Sequence, residues 1–209
     1  MIISYHGLEF FRIQFGDIIV ATNPPGKRSS FKGPRFGADV VLVSMQHEDF
    51  NGAADLFYGN RSPFVIAGPG EYEIKDVVVR GFAALSSYGG EERINTIYTL
   101  NLEGMRVAFL GALSKSEIPA DAKEAFDTID LLFVPIGGNG VLAGKDAYKL
   151  ALSIEPKIII PMHFGGTADK ALSSFLKEAG ASGEFLDKLT LKRKDLEGKD
   201  ADVMVLKAT

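Results

Sequence analysis

The chain has 209 residues, 46% of them hydrophobic and 24% charged, which excludes a disordered segment and supplies enough apolar side chains for a sizeable core. Its 23 Lys and Arg against 27 Asp and Glu leave a formal net charge of −4, a balance that argues against a dedicated nucleic-acid binder. No cysteine is present, so a disulfide framework, a thiol nucleophile and a thiolate metal site are excluded, and the only histidines are His6, His47 and His163.

The opening Met1-Ile2-Ile3-Ser4-Tyr5-His6 has neither a basic region nor a cleavable apolar stretch, so no signal peptide is expected. No apolar run approaches the roughly 20 residues of a membrane-spanning helix, and a soluble cytoplasmic protein with no membrane partner is the expectation. Up to Leu110 the chain reads mainly as short strands. Phe11–Phe15 alternates with a period of two, and Gly16-Asp17 turns it into Ile18-Ile19-Val20, a hairpin signal. Asp39–Val43 is a continuous apolar run that suits a strand buried on both faces. Phe64–Ile66, Val77–Val79, Ile97–Leu100 and Val107–Leu110 follow, with Glu103-Gly104 as the turn between the last two.

After Ala112 the pattern changes. Glu117–Phe126, Lys145–Ile154 and Lys170–Ala179 space their apolar residues by three and four and are expected to be helices, the last ended by Gly180. Between them lie the strands Leu131–Val134 and Lys157–Ile160, each running into a proline, Pro135 and Pro161. Lys188–Lys194 and Val203–Leu206 read as closing strands. Many strands with helices interspersed late indicate an α/β chain of layered sheets covered by helices, in one domain over residues 1–209.

Pro24–Arg35 is the longest expected loop and carries Lys27, Arg28, Lys32 and Arg35 without an acid. It is either a solvated surface or an anion clamp built on Lys27, Arg28 and Arg35. Gly68-Pro69-Gly70 and Gly137-Gly138 read first as tight turns. Glu71 is alternatively a subunit contact or a supporting hydrogen-bond partner, and Gly137–Gly140 a weak receptacle for an anion.

Three strand ends carry the polar residues that chemistry needs. Ser44–Gly52 follows the 39–43 strand, Gly111-Ala112-Leu113 the 107–110 strand, and Met162-His163-Phe164 the 157–160 strand. Strand ends that converge on one sheet edge are where α/β folds place ligands. His47, Glu48, Asp49 and His163 there suggest a metal or acid–base group, against the plainer reading of hydrogen-bonded structural imidazoles.

Ser44-Met45-Gln46-His47-Glu48-Asp49-Phe50 after a buried strand resembles the His-x-His-x-Asp-His motif of the metallo-β-lactamase fold. Gly68–Glu73, Asn95–Tyr98, Leu110-Gly111, Val134–Gly138 and Ile160–His163 fall in the order seen in zinc-dependent hydrolases similar to the ascorbate-6-phosphate lactonase-like proteins. The resemblance implies a four-layer αββα sandwich with its metal site at one edge of the two sheets. It also implies that His47, Asp49 and His163 keep ligand identities. Met45, Phe50, Ser86 and Ala112 stand where the family has His, His, His and a bridging Asp.

A catalytic zinc takes three N, O or S ligands and an open position for water. Phe50 and Ala112 cannot ligate, and the thioether of Met45 is too soft for a borderline dication. A two-metal hydrolase is therefore not expected, and no cofactor is the leading expectation. The favoured reading is a binding or assembly scaffold, with an unidentified small molecule or protein as partner and self-association open. The alternative is a hydrolase acting on a phosphoester, lactone or β-lactam-like amide, metal-free or with one Zn or Mn ion on His47, Asp49 and His163. A nuclease or nucleic-acid binder ranks below both.

Overall fold

The computed structural model describes every residue except Tyr58, Asn60, Arg61, Ser182 and Gly183. The first part of the chain forms β1 (Ile2–Tyr5), β2 (Phe11–Phe15), β3 (Ile18–Thr22), β4 (Val40–Leu42) and β5 (Phe64–Ile66). Next come β6 (Gly70–Ile74), β7 (Val77–Ser86), β8 (Arg93–Leu102), β9 (Met105–Phe109), α1 (Lys123–Phe126) and β10 (Leu131–Pro135). The last part contributes α2 (Gly144–Ile154), β11 (Ile158–Met162), α3 (Lys170–Ala179), β12 (Phe185–Leu186), β13 (Leu189–Thr190), β14 (Asp202–Val203) and β15 (Val205–Leu206).

One sheet has the order β13-β1-β2-β3-β4-β5 and the other β14-β11-β10-β9-β8-β7-β6, with β12 and β15 as a separate parallel pair. The strands of the 39–43 run illustrate the layering. Val40 and Leu42 join the large central core, whereas Val41 and Val43 join a smaller outer cluster with Phe10, Ile19, Ala21 and Leu56. β4 is thus buried on both faces, as its unbroken apolar sequence requires. Two residues of β8 lock the sheets together at the edge that matters below. The Tyr98 hydroxyl donates to the carbonyls of Val43 (2.9 Å) and Ile66 (3.2 Å), and the Thr96 N–H donates to the Ser44 carbonyl (2.7 Å).

Several boundaries differ from the sequence expectations. The helix expected over Glu117–Phe126 shrinks to Lys123–Phe126. Pro119 lacks an N–H and disfavours helical geometry at Ile118, and its carbonyl instead accepts the Ala122 N–H in a turn. The expected strand Lys188–Lys194 reduces to Leu189–Thr190, because Asp195 accepts the Lys192 N–H (2.8 Å) and closes a single helical turn over Arg193–Leu196. Val203–Leu206 is broken at Met204, its halves lying in different sheets. β1 and β6 were not expected as strands. Among the described residues no helix is long and apolar enough to cross a membrane.

Candidate functional site

Segments that follow β1, β3, β4, β7, β9, β10 and β11 meet at one edge of the two sheets. Their meeting is enforced by side chains that satisfy loop backbone. Asn95 on β8 donates to the Leu110 carbonyl and accepts the Ala112 N–H, each over 2.9 Å, so one amide staples the turn after β9. Asn23 does the same for the turn after β4, accepting the Ser44 N–H over 2.7 Å. Gly111, with φ of +54°, leaves no room for a side chain, since a Cβ would lie 2.5 Å from Ser44.

The deepest polar group is one that sequence reasoning missed. Glu9 is fully buried and accepts from His163 Nδ1 over 2.8 Å and from Asn23 Nδ2 over 2.6 Å. The same Asn23 amide lies 2.8 Å from Ser44 Oγ. A buried carboxylate is tolerable only when paired and hydrogen-bonded, and both of its oxygens are. His163 itself has a left-handed backbone (φ +63°), unusual outside glycine, with its N–H on the Leu8 carbonyl. A Cβ on Gly137 would fall 2.3 Å from the His163 carbonyl oxygen, so the turn after β10 must carry glycine to let His163 sit there.

Asp49 is the second polar centre. The Ser29 hydroxyl donates to its Oδ1 (2.5 Å) and the Tyr88 hydroxyl to its Oδ2 (2.8 Å). His47 Nδ1 lies 3.5 Å from the same Oδ2 but accepts the Asp49 backbone N–H at 3.2 Å. The closer contact decides: Nδ1 is an acceptor there, and the ring proton belongs on Nε2. Burial and the Asp49 carboxylate push the Tyr88 phenol well above its ordinary range, so it remains a donor.

Tyr88 is also the organising aromatic residue, and it too was missed. Its ring meets His47 and His163 edge-on, each at a centroid distance of 5.1 Å, and Phe50 at 5.0 Å. It packs against an apolar cluster of Leu8, Met45, Phe50, Ala112 and Val141. Ser86, fully buried, accepts the Tyr88 N–H over 3.1 Å. The structure therefore brings Met45, Phe50 and Ala112 into one apolar cluster, with Ser86 bonded to the Tyr88 backbone beside it. His163 gives its Nδ1 to Glu9, Asp49 accepts from Ser29 and Tyr88, and the Tyr88 ring stands between the two imidazoles. Among the described residues no three His, Cys, Asp or Glu side chains are grouped to hold a metal ion.

The basic loop is not free of acids once folded. Lys27 lies 3.5 Å from Asp55 and Arg28 3.6 Å from Glu48, both supplied by the neighbouring segment, while Arg35 stands exposed at a cavity rim. Lys27 lines a cavity with Arg35 and a neighbouring one with Arg28. Glu71 is exposed and pairs with Arg80 across β6 and β7 (3.2 Å). Glu9 could have been noticed as an acid inside Leu8-Glu9-Phe10-Phe11; Tyr88, in a loop before two glycines, gives no periodic signal.

Comparison with known proteins agrees with this architecture. Residues 2–163 match the beta-lactamase superfamily domain. A UPF0173 protein of Pyrococcus furiosus is 34% identical over 164 residues, covering 67% of this chain and 73% of the relative. A UPF0173 metal-dependent hydrolase of Bacillus mycoides is 24% identical over 198 residues, 78% of this chain and 85% of the relative. Among solved structures, a metallo-β-lactamase superfamily protein from Thermotoga maritima superposes with a TM-score of 0.75 at 29% identity, over 98% of this chain and 97% of that one. With the two sheets and the converging strand ends in place, these matches identify the chain as a member of the beta-lactamase superfamily, of the metallo-β-lactamase fold and the UPF0173 family.

Proposed function

We propose that this chain is a non-hydrolytic member of its family, a binding or assembly protein built on a metal cleft that its own side chains fill. The observation that carries this reading is Tyr88, which touches both imidazoles and Phe50 and occupies Asp49 with its hydroxyl. An abandoned metal cavity has to be refilled, and Met45, Phe50 and Ala112 fill it without stranding polar atoms. The donor set does not fit a zinc or manganese ion. Thioether, phenyl, methyl and a committed hydroxyl stand where the family motif has ligands, and Tyr88 stands against all three residues that keep ligand identities.

The names of the relatives favour the other reading, a hydrolase using His47, Asp49 and His163 with one ion or none. It requires Tyr88 to leave Asp49 and His163 to face open solvent, whereas the His163 side chain is 10% exposed. The test is turnover of bis-p-nitrophenyl phosphate, a simple lactone and nitrocefin with added Zn or Mn. No turnover above the ions alone is expected. Turnover that scales with the protein and disappears in His163→Ala overturns the proposal.

A further inference from the structure

Beside the filled cleft, the loop after β3 encloses a cavity of about 250 Å³ whose lining has an uneven character. Its apolar wall includes Phe10, Phe31 and Leu56, and its rim carries Lys27, Lys32 and Arg35 against the single acid Asp55. The wall is fixed. Phe10 is stacked on Phe36 with ring centroids 5.5 Å apart, and Gly33 lies so close that a Cβ there would reach 2.6 Å from the Phe10 ring. The loop is fixed as well, by the Ser29 hydroxyl on Asp49 and by the Gly26 N–H on the Glu48 carbonyl (2.8 Å).

The cations are not equivalent. Lys32 Nζ donates to the carbonyls of Ser29 (2.7 Å) and Lys27 (3.3 Å), which pins the ammonium and leaves it a further N–H. Arg35 has no ion-pair or hydrogen-bond partner among the described residues. Lys27 leans toward Asp55. Phe31, 42% exposed, sits next to Lys32, an aromatic face left open among positive charges.

We infer that this cavity binds a small amphipathic organic anion: a carboxylate, sulfonate or phosphate ester with an aromatic or acyl body. The body lies on Phe10 and Phe31, and the head group meets Lys32 and Arg35. Apolar contact supplies the affinity and the excess of cations over the one acid supplies the selection for charge. The rim cations and Phe31 lie outside the contacts that fill the cleft, so the inference stands apart from the proposed loss of hydrolysis.

The test is calorimetric titration of the full chain at low salt with three probes: 2-naphthalenesulfonate, neutral 2-naphthol and inorganic sulfate. The sulfonate is expected to saturate one site and to bind at least about tenfold more tightly than either of the others, with added salt weakening it. Arg35→Glu and Phe31→Ala are each expected to weaken it by about tenfold while leaving the melting temperature unchanged, since both side chains are exposed. Equal affinity for sulfonate and naphthol, equal affinity for sulfonate and sulfate, no saturable binding, or parental affinity in both variants would each overturn the inference. None of these readouts involves a metal or a hydrolytic step, so failure here leaves the proposed function standing, and turnover in the hydrolysis assay leaves the cavity standing.

Discussion

The hydroxyl of Tyr88 reaches Asp49 Oδ2 over 2.8 Å, and through that bond a loop after β7 is anchored to the turn after β4 on the opposite sheet. Asp49 is buried and takes its donors from Ser29 and Tyr88, so removing either leaves a carboxylate oxygen short of a partner. Tyr88→Phe keeps the ring contacts and loses only the donor, which is predicted to cost about 1–2 kcal/mol of unfolding free energy. Tyr88→Ala also empties part of the apolar cluster around Phe50 and is predicted to cost about 2–4 kcal/mol. Urea unfolding checks the order. A neutral Tyr88→Phe contradicts the bond as an anchor.

The Glu9–His163 pair makes a second prediction. Glu9 comes from the turn after β1 and His163 from the end of β11, so the pair ties the N-terminal segment of one sheet to the penultimate strand of the other. Truncating one partner strands the other in the interior. His163→Ala is predicted to destabilise the chain by about 3–5 kcal/mol, and Glu9→Gln by less, because an amide oxygen still accepts. A double variant Glu9→Leu, His163→Leu recovers part of the loss if the single cost is the unpaired charge. Denaturant midpoints of the three variants decide it.

His6 links pH to stability. Burial lowers its pKa below the ordinary value of about 6.5, with Arg12 adding to the shift and the Thr209 carbonyl opposing it. Nε2 is buried without a hydrogen-bond partner among the described residues, and the ring leans on Phe10 and Phe36. Protonation therefore favours the unfolded chain. The stabilisation is complete above about pH 6.5 and falls as the pH drops from there through the lower folded value. Unfolding midpoints measured from pH 8 to pH 5 are predicted to fall, with a shallower slope in His6→Gln; an unchanged slope contradicts the assignment to this ring.

How much of this was readable in advance depends on whether a residue's role is local. The 39–43 run, the hairpin at Gly16-Asp17 and helices α2 and α3 follow from period and composition within a few neighbours, and they lie where expected. β6 hides because Gly70–Ile74 presents mainly exposed residues on an edge strand, with the polar Glu71 and Glu73 among them. The aborted 117–126 helix shows a single proline, Pro119, outweighing the nine residues around it. The site divides in the same way. Met45, Phe50 and Ala112 are apolar in the sequence and lie in one apolar cluster in the fold. Glu9 and Tyr88 act through partners far along the chain, respectively His163 and Asp49, and such pairings are set by topology rather than by any local pattern.

The most direct measurement is metal content. The purified, untagged chain is incubated with zinc, manganese and iron, desalted, and analysed by plasma mass spectrometry. A centre closed by Tyr88 over Asp49 and both imidazoles predicts less than about a tenth of an equivalent of any ion. About one equivalent that disappears in His163→Ala, or about two equivalents, would contradict the account at its centre.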